Sequence, residues 1–158
     1  MSGFKIHLAA LPLGASQVRL EADSAQLGLD PREWSAPVTG EVLVEKHGDR
    51  ITVRGQLDAM ARLECVRCLR EFDMPVAVPL EVFAERTGTH PRQEEETLER
   101  DDIVAFHDGR ELDLSGEARD ALLLEMPIAP HCREDCAGLC PRCGADRNQG
   151  PCACMGAD

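Results

Sequence analysis

The sequence predicts an α+β protein: a mainly antiparallel β meander or partial barrel, a short C-terminal helix and a zinc-binding C-terminal tail. Three observations predict it. Apolar and polar residues alternate along 41–84, a helix-prone stretch is confined to the residues before Pro127, and eight cysteines stand in close pairs. The expected organisation is an antiparallel β unit over 1–114, with an acidic loop near 86–102. A helix plus cysteine-rich segment over 115–158 packs on it.

The meander is read strand by strand. Val42 and Val44 alternate with polar neighbours, and Gly48-Asp49 forms a two-residue hairpin turn between His47 and Arg50. Beyond the turn Ile51, Val53, Leu57, Ala59, Ala61 and Leu63 share one parity, with a bulge expected at Gly55. The turn sets Val44 opposite Val53, so both strands send their apolar sets the same way. After Cys68 a third run alternates through Phe72, Met74, Val76, Val78, Leu80 and Val82. Pro75 and Pro79 occupy its opposite parity and mark an edge or bulged strand. At the start of the chain Phe4, Ile6 and Leu8 read as a strand; His7, Pro12 and a flank of only Lys5 argue against a signal peptide.

Glu94–Glu96, Glu99, Asp101 and Asp102, with Gly88 and Pro91 nearby, read as a solvated loop, and Ile103–Phe106 as a short returning strand. Ser115 is the expected N-cap of a helix around 116–126, Glu117 suits its positive end, and Pro127 stops it.

Composition sets limits on function. The 158 residues carry 29 acids against 17 Lys and Arg, a formal charge of −12, with 3% aromatic residues and no Tyr. Such a chain lacks the rings for stacking on bases and is not drawn to phosphate by its overall charge. No apolar run approaches a membrane span, and the cytoplasm is the expected compartment. The usual phosphate-loop, dinucleotide, zinc-protease and serine-hydrolase motifs are missing, and the five histidines are scattered. A non-enzymatic binding protein without a small-molecule substrate is therefore expected.

The cysteines carry the chemistry. Cys65-Val66-Arg67-Cys68 sits at a tight turn between two strands, and Cys132, Cys136, Cys140, Cys143, Cys152 and Cys154 lie within 23 residues. In a C-x₂-C turn followed by Gly, two thiolates face one ion while backbone N–H groups donate to sulfur. In C-x-C, alternate residues of an extended segment share a face. Zinc takes four such ligands tetrahedrally at about 2.3 Å. Eight thiolates thus suit two closed structural ions. The short intervening loop favours Cys140, Cys143, Cys152 and Cys154 as one site, leaving Cys65, Cys68, Cys132 and Cys136 as the other. Crossed pairings, and His131 in place of Cys132, remain alternatives. A structural zinc is worth about 10–16 kcal/mol of apparent binding energy, enough to fold a tail that has no other core. The rival chemistry is a thiol oxidoreductase using Cys65 and Cys68.

Three segments, L-E-C-V-R-C-L-R-E-F (63–72), E-L-D-L-S-G-E-A-R-D-A-L-L-L-E-M-P-I-A-P-H-C (111–132) and D-C-A-G-L-C-P-R-C-G (135–144), together resemble the YceD family of large ribosomal RNA subunit accumulation proteins. The resemblance spans about residues 40–154. It implies a bacterial cytoplasmic factor supporting large-subunit rRNA accumulation, with a ribosomal protein or rRNA precursor as partner. It brings no catalytic residues, and some members lack the C-terminal cysteines. A zinc-stabilised adaptor unrelated to ribosomes is the alternative.

Charge has to be reconciled with that role. Two zinc ions held by eight thiolates would bring the chain to about −16, since each site carries −4 from sulfur and +2 from the metal. Residues 94–125 hold twelve acids and three arginines. By contrast, residues 50–70 hold Arg50, Arg54, Arg62, Arg67 and Arg70 against two acids, a candidate RNA contact. The plainer expectation is that Glu45, Glu64 and Glu71 neutralise those arginines across the sheet and that the acidic stretch is solvated chain; the sharper one is that the acidic side meets a basic protein.

Overall fold

A computed structural model describes residues 3–87 and 104–156. Its elements in chain order are β1 (Lys5–His7), β2 (Gly14–Ala22), β3 (Val38–His47), β4 (Arg50–Glu64), β5 (Glu71–Arg86), β6 (Val104–His107), β7 (Glu111–Asp113) and α1 (Ser115–Glu125). Strands β2-β3-β4-β5-β6 form one five-stranded sheet in that order, and β1 pairs with β7 in a separate two-stranded ribbon. The large sheet is antiparallel except at β6, which runs parallel to β5 over Phe83–Arg86. The acidic loop expected near 86–102 falls almost wholly outside the described residues, as does Ile103.

The β3–β4 hairpin follows from its turn. Gly48 adopts φ +65°, His47 faces Arg50 and Val44 faces Val53. Side chains of one parity, Val42, Val44, Ile51, Val53 and Leu57, are buried. They continue into Val76, Val78, Leu80 and Val82 of β5, so three strands present one apolar face. Pro75 and Pro79 lie where β5 has β4 on one side and no strand on the other, an edge position that needs no ladder donor.

Two expectations are corrected here. β4 has no bulge at Gly55, because the register runs unbroken through Val42↔Gly55 and Glu41↔Gln56. Glycine is needed there for close approach: a Cβ would lie 2.7 Å from the Val42 Cα and nearer still to the Glu41 carbonyl oxygen. Ser115 is not the N-cap but the first residue of α1, and the Asp113 carboxylate accepts its backbone N–H at 2.9 Å. The helix ends at Glu125, with Met126 extended before Pro127.

β2 was not anticipated, although Val18, Leu20 and Ala22 alternate with Gln17, Arg19 and Glu21. It pairs with the whole of β3. The N-terminal segment belongs to the core: Phe4, Ile6, Leu8 and Trp34 are all buried. The Phe4 carbonyl accepts the Leu114 N–H at 2.7 Å, tying β1 to the start of α1. α1 packs on β5 and on the 3₁₀ turn Ser24–Leu27, burying Ala118 and Leu122.

β4 outruns β3 beyond Asp58, and the loop before β3 covers part of that exposed edge, the Glu33 carbonyl accepting the Arg62 N–H. The long β4–β5 hairpin therefore projects past the rest of the sheet and carries Cys65 and Cys68 at its tip.

Two substitutions test this account by urea unfolding. Gly55→Ala should destabilise by about 1–3 kcal/mol, the usual cost of forcing atoms into a packed site. Gly116→Ala, on a helix position with nothing within 4 Å of the added carbon, should stabilise by about 0.4–1 kcal/mol.

Candidate metal centre

The tip of the β4–β5 hairpin is a five-residue turn closed by the Leu69 N–H on the Cys65 carbonyl at 2.9 Å, with the Cys65 N–H on the Arg70 carbonyl at 2.9 Å. It holds the Cys65 and Cys68 sulfurs on one side. The chain leaving α1 returns to this turn, where Val66 N–H donates to the Pro130 carbonyl at 2.9 Å, and delivers Cys132 and Cys136. The four Sγ atoms lie within 4.8 Å of one another. Cys65 and Cys136 are 3.7 Å apart, and Cys68 and Cys132 3.6 Å. Four sulfurs at 2.3 Å from a tetrahedral ion would stand about 3.8 Å apart, so the spacing suits one such ion. Cys65, Cys68 and Cys136 are buried and Cys132 half-buried, with Phe72 and Leu139 packed against them.

A second group is built from the tail alone. Cys140-Pro141-Arg142-Cys143 makes the same turn, closed by the Gly144 N–H on the Cys140 carbonyl at 2.8 Å. Cys152 and Cys154 complete a set whose four sulfurs again fall within 4.8 Å. Cys140 is buried, Cys152 and Cys154 half-buried, and Cys143 exposed. The structure thus brings together the two sets of four that spacing suggests, with Cys132 rather than His131 in the first.

Charge within each group suits it to a cation. Burial opposes ionisation of Cys65, but the backbone N–H groups of Cys132, Cys68 and Arg67 outweigh it and bring the thiol down to about 6. Cys132 is pushed up to about 12 by burial and by its crowding against Cys68, Cys136 and Cys65. The second group divides in the same way. Backbone N–H groups of Cys143 and Arg142 lower Cys140 to about 6, while Cys143 and then burial push Cys154 up to about 12. Four sulfurs this close cannot all carry charge unaided. A divalent ion would remove the conflict, because every ligand would then be a thiolate facing a dication.

Asn148 links the two groups. Its Nδ2 donates to the Cys136 sulfur at 3.3 Å, and this amide is the largest cause holding the Cys136 thiol below its ordinary value. Its Oδ1 accepts from the Ala137 N–H and from Arg133, each at 2.8 Å. Asp146 in turn accepts the Asn148 N–H at 2.9 Å and pairs with Arg70 at 3.3 Å. Sequence reasoning missed both residues. The D-x-N spacing, a side-chain-to-backbone turn, was the available signal.

The five arginines named from sequence are all engaged. Arg54 meets Glu81 at 2.8 Å, Arg62 meets Asp73 at 3.2 Å and Arg50 meets Glu85 at 3.7 Å. These acids stand directly opposite on β5, so the neutralising partners are not Glu45, Glu64 and Glu71. Arg67 donates to the carbonyls of Cys136 at 3.2 Å and Glu134 at 3.5 Å, and Arg70 takes Asp146. His107 is structural. It is buried, its Nδ1 accepts the Gly109 N–H at 3.0 Å, and its Nε2 accordingly donates to the Asp49 carbonyl at 2.9 Å.

The hairpin tip, the returning segment and the tail all lie within the match to one protein family, described as Large ribosomal RNA subunit accumulation protein YceD, which covers residues 53–158. The chain belongs to the YceD family. It is 35% identical over 123 residues to "Uncharacterized protein ML1660" of Mycobacterium leprae, covering 76% of this chain and 54% of that one. With "Uncharacterized protein Rv2926c" of Mycobacterium tuberculosis it shares 37% over 105 residues, 66% of this chain and 48% of the relative. A more distant relative, 24% identical over 174 residues (95% of this chain, 54% of that one), is "Large ribosomal RNA subunit accumulation protein YCED homolog 1, chloroplastic" of Arabidopsis thaliana. The chain spans about half the length of these relatives. No solved structure matches it. The family match begins inside β4, so β1–β3 lie outside it, although β3 pairs with β4 and β2 with β3.

Asn148→Ala should lower the stability of the full chain by about 1 kcal/mol, the usual cost of a lost hydrogen-bonded group, as read from urea unfolding. Asn148→Asp should cost more, because it sets a carboxylate against the cysteine sulfurs and Asp146.

Proposed function

We propose that this protein is a non-enzymatic factor supporting large-subunit ribosomal RNA accumulation and ribosome biogenesis, acting by binding and held in shape by two structural zinc ions. The observation that carries the reading is membership of a family described by that role, in a chain whose eight cysteine sulfurs form two sets of four. Four thiolates fill a tetrahedral zinc and leave no position for water or substrate, which is the composition of a structural site. In the first group Cys65, Cys68, Cys132 and Cys136 would hold the ion, and in the second Cys140, Cys143, Cys152 and Cys154. Each ion supplies charge balance and cross-linking rather than chemistry. With Cys65 and Cys68 engaged as ligands, no free pair is left for thiol exchange.

Between the two kinds of ribosomal partner, the arginine pairings favour protein. A guanidinium already held by a carboxylate opposite it has to give up that contact to reach a phosphate. The acidic excess of the chain gives complementarity to a basic ribosomal protein and raises the association rate more than the affinity. No helix among the described residues is long and apolar enough to cross a membrane. The reading carries a cytoplasmic location.

Metal analysis of protein purified without added zinc should find two zinc ions per chain. The Cys140→Ser/Cys143→Ser double variant should retain one. Metal-free protein with all eight thiols titratable and an unchanged fold would refute the structural role. Depletion of the protein in its own cell should lower large-subunit rRNA relative to small-subunit rRNA. Wild type should restore the ratio and Cys65→Ser/Cys68→Ser should not; an unchanged ratio on depletion would refute the ribosomal role.

A further inference from the structure

The two C-x₂-C turns provide an internal comparison. Both close by the N–H of the residue after the second cysteine donating to the carbonyl of the first, at 2.9 Å and 2.8 Å. Both put that residue in the left-handed region, φ +59° in one and +75° in the other. In the tail the residue is Gly144, which adopts this conformation freely. In the hairpin turn it is Leu69, the one non-glycine residue with positive φ among the described residues. A leucine there is strained by its Cβ.

Packing does not explain the leucine. Leu69 is 56% exposed, and its neighbour on the turn, Val66, is 51% exposed. The tail shows that the same turn closes with glycine. A strained residue whose side chain points to solvent is evidence of a use outside the fold.

The base of the turn repeats the pattern. Glu64 and Glu71 face each other across β4 and β5, both are exposed, and neither has an ion-pair partner among the described residues. Like charges directly opposite destabilise a sheet. The nearby cations are engaged elsewhere, Arg67 on the carbonyls of Glu134 and Cys136, and Arg70 on Asp146.

We infer that the Cys65–Cys68 turn is a docking surface for a basic protein segment, with Val66 and Leu69 receiving an aliphatic or aromatic side chain and Glu64 and Glu71 receiving a lysine or arginine. The inference rests on the ribosomal reading and deepens it by naming the partner's chemistry. Two facing carboxylates beside an apolar tip, with Arg67 and Arg70 already held by carbonyls and Asp146, match a cationic segment that carries an apolar side chain better than a phosphate backbone, so the occupant we infer is protein. Cys65, Cys68, Cys132 and Cys136 would hold the metal at the base of the tip, and its cross-link would keep the tip in one conformation before the partner arrives.

Leu69→Gly separates a binding role from a structural one, because it removes the anchor and relieves the strain together. The zinc-loaded full chain, immobilised, is presented with purified large-subunit ribosomal proteins and, separately, with protein-free large-subunit rRNA. Wild type should bind a basic protein. Leu69→Gly should bind it at least tenfold more weakly while keeping its zinc and unfolding at an equal or higher urea concentration. Glu64→Gln/Glu71→Gln should likewise be no less stable, with binding that is weaker and less sensitive to salt.

The inference is overturned if Leu69→Gly binds as wild type does, if it unfolds at lower urea, or if rRNA alone is bound. Complementation distinguishes this failure from that of the broader role. Full restoration of large-subunit rRNA by Leu69→Gly would sink the docking surface and leave the ribosomal role standing. Failure of wild type to restore it would sink the ribosomal role.

Discussion

The convergence of Cys65, Cys68, Cys132 and Cys136 is the constraint on which the rest of the architecture depends. It joins a hairpin tip to a segment 64–71 residues later in the chain, and it does so where the sheet offers no other support. β4 and β5 run past β3, so their ends lack a neighbour on one side. Beyond Pro127 the described residues of the returning chain form no α-helix or strand, only the short 3₁₀ turns Arg147–Gln149 and Ala153–Gly156. Each part lacks a core of its own, and the sulfur group, backed by Phe72 and Leu139, is the small core they share. Entropy permits so long a closure, since each doubling of loop length costs only about 0.6 kcal/mol.

Most of the sheet was legible in the sequence because its signals are local. A Gly-Asp turn fixes the β3–β4 register residue by residue, and alternation then assigns every side chain to a face. Partnerships across β4 and β5 were less legible. Those strands join through a cysteine turn whose geometry is not set by residue preference alone, and the acids opposite Arg50, Arg54 and Arg62 emerge only once that register is known. β2 escaped notice because its alternation is carried by just Val18, Leu20 and Ala22, with small and polar residues before them. Gly55 looked like a bulge because glycine inside a strand has two physical uses, an extra residue or a close approach. Only the packed neighbour, Val42, distinguishes them.

The sulfur groups show the same division. Spacing within a pair is local information and identifies a turn with two thiolates on one side. Which pair meets which is tertiary information, and loop length only biases it. The residues supporting the groups were harder to see, because Asn148 and Asp146 act through amide and carboxylate contacts that occur in ordinary surface turns. Their importance comes from position: one amide reaches a buried sulfur, and one carboxylate reaches both that amide and Arg70.

These contacts make the two sulfur groups mechanically dependent. The second is local, spanning Cys140 to Cys154, and carries the 3₁₀ turn Arg147–Gln149 between its halves. That turn presents Asn148 to Cys136, while the strand-like bridge Leu139↔Asp146 sets Asp146 against Arg70. The Leu139 N–H closes the seam on the Arg67 carbonyl at 3.1 Å. The second group therefore acts as a buttress for the first, ordering the donors that surround the buried sulfurs. It leaves the outer side of the hairpin tip, with Val66 and Leu69, uncovered. The tail thus wraps one side of the Cys65–Cys68 turn through Arg67, Arg70 and Cys136 and leaves the exposed side chains of Val66 and Leu69 on the turn clear of these contacts.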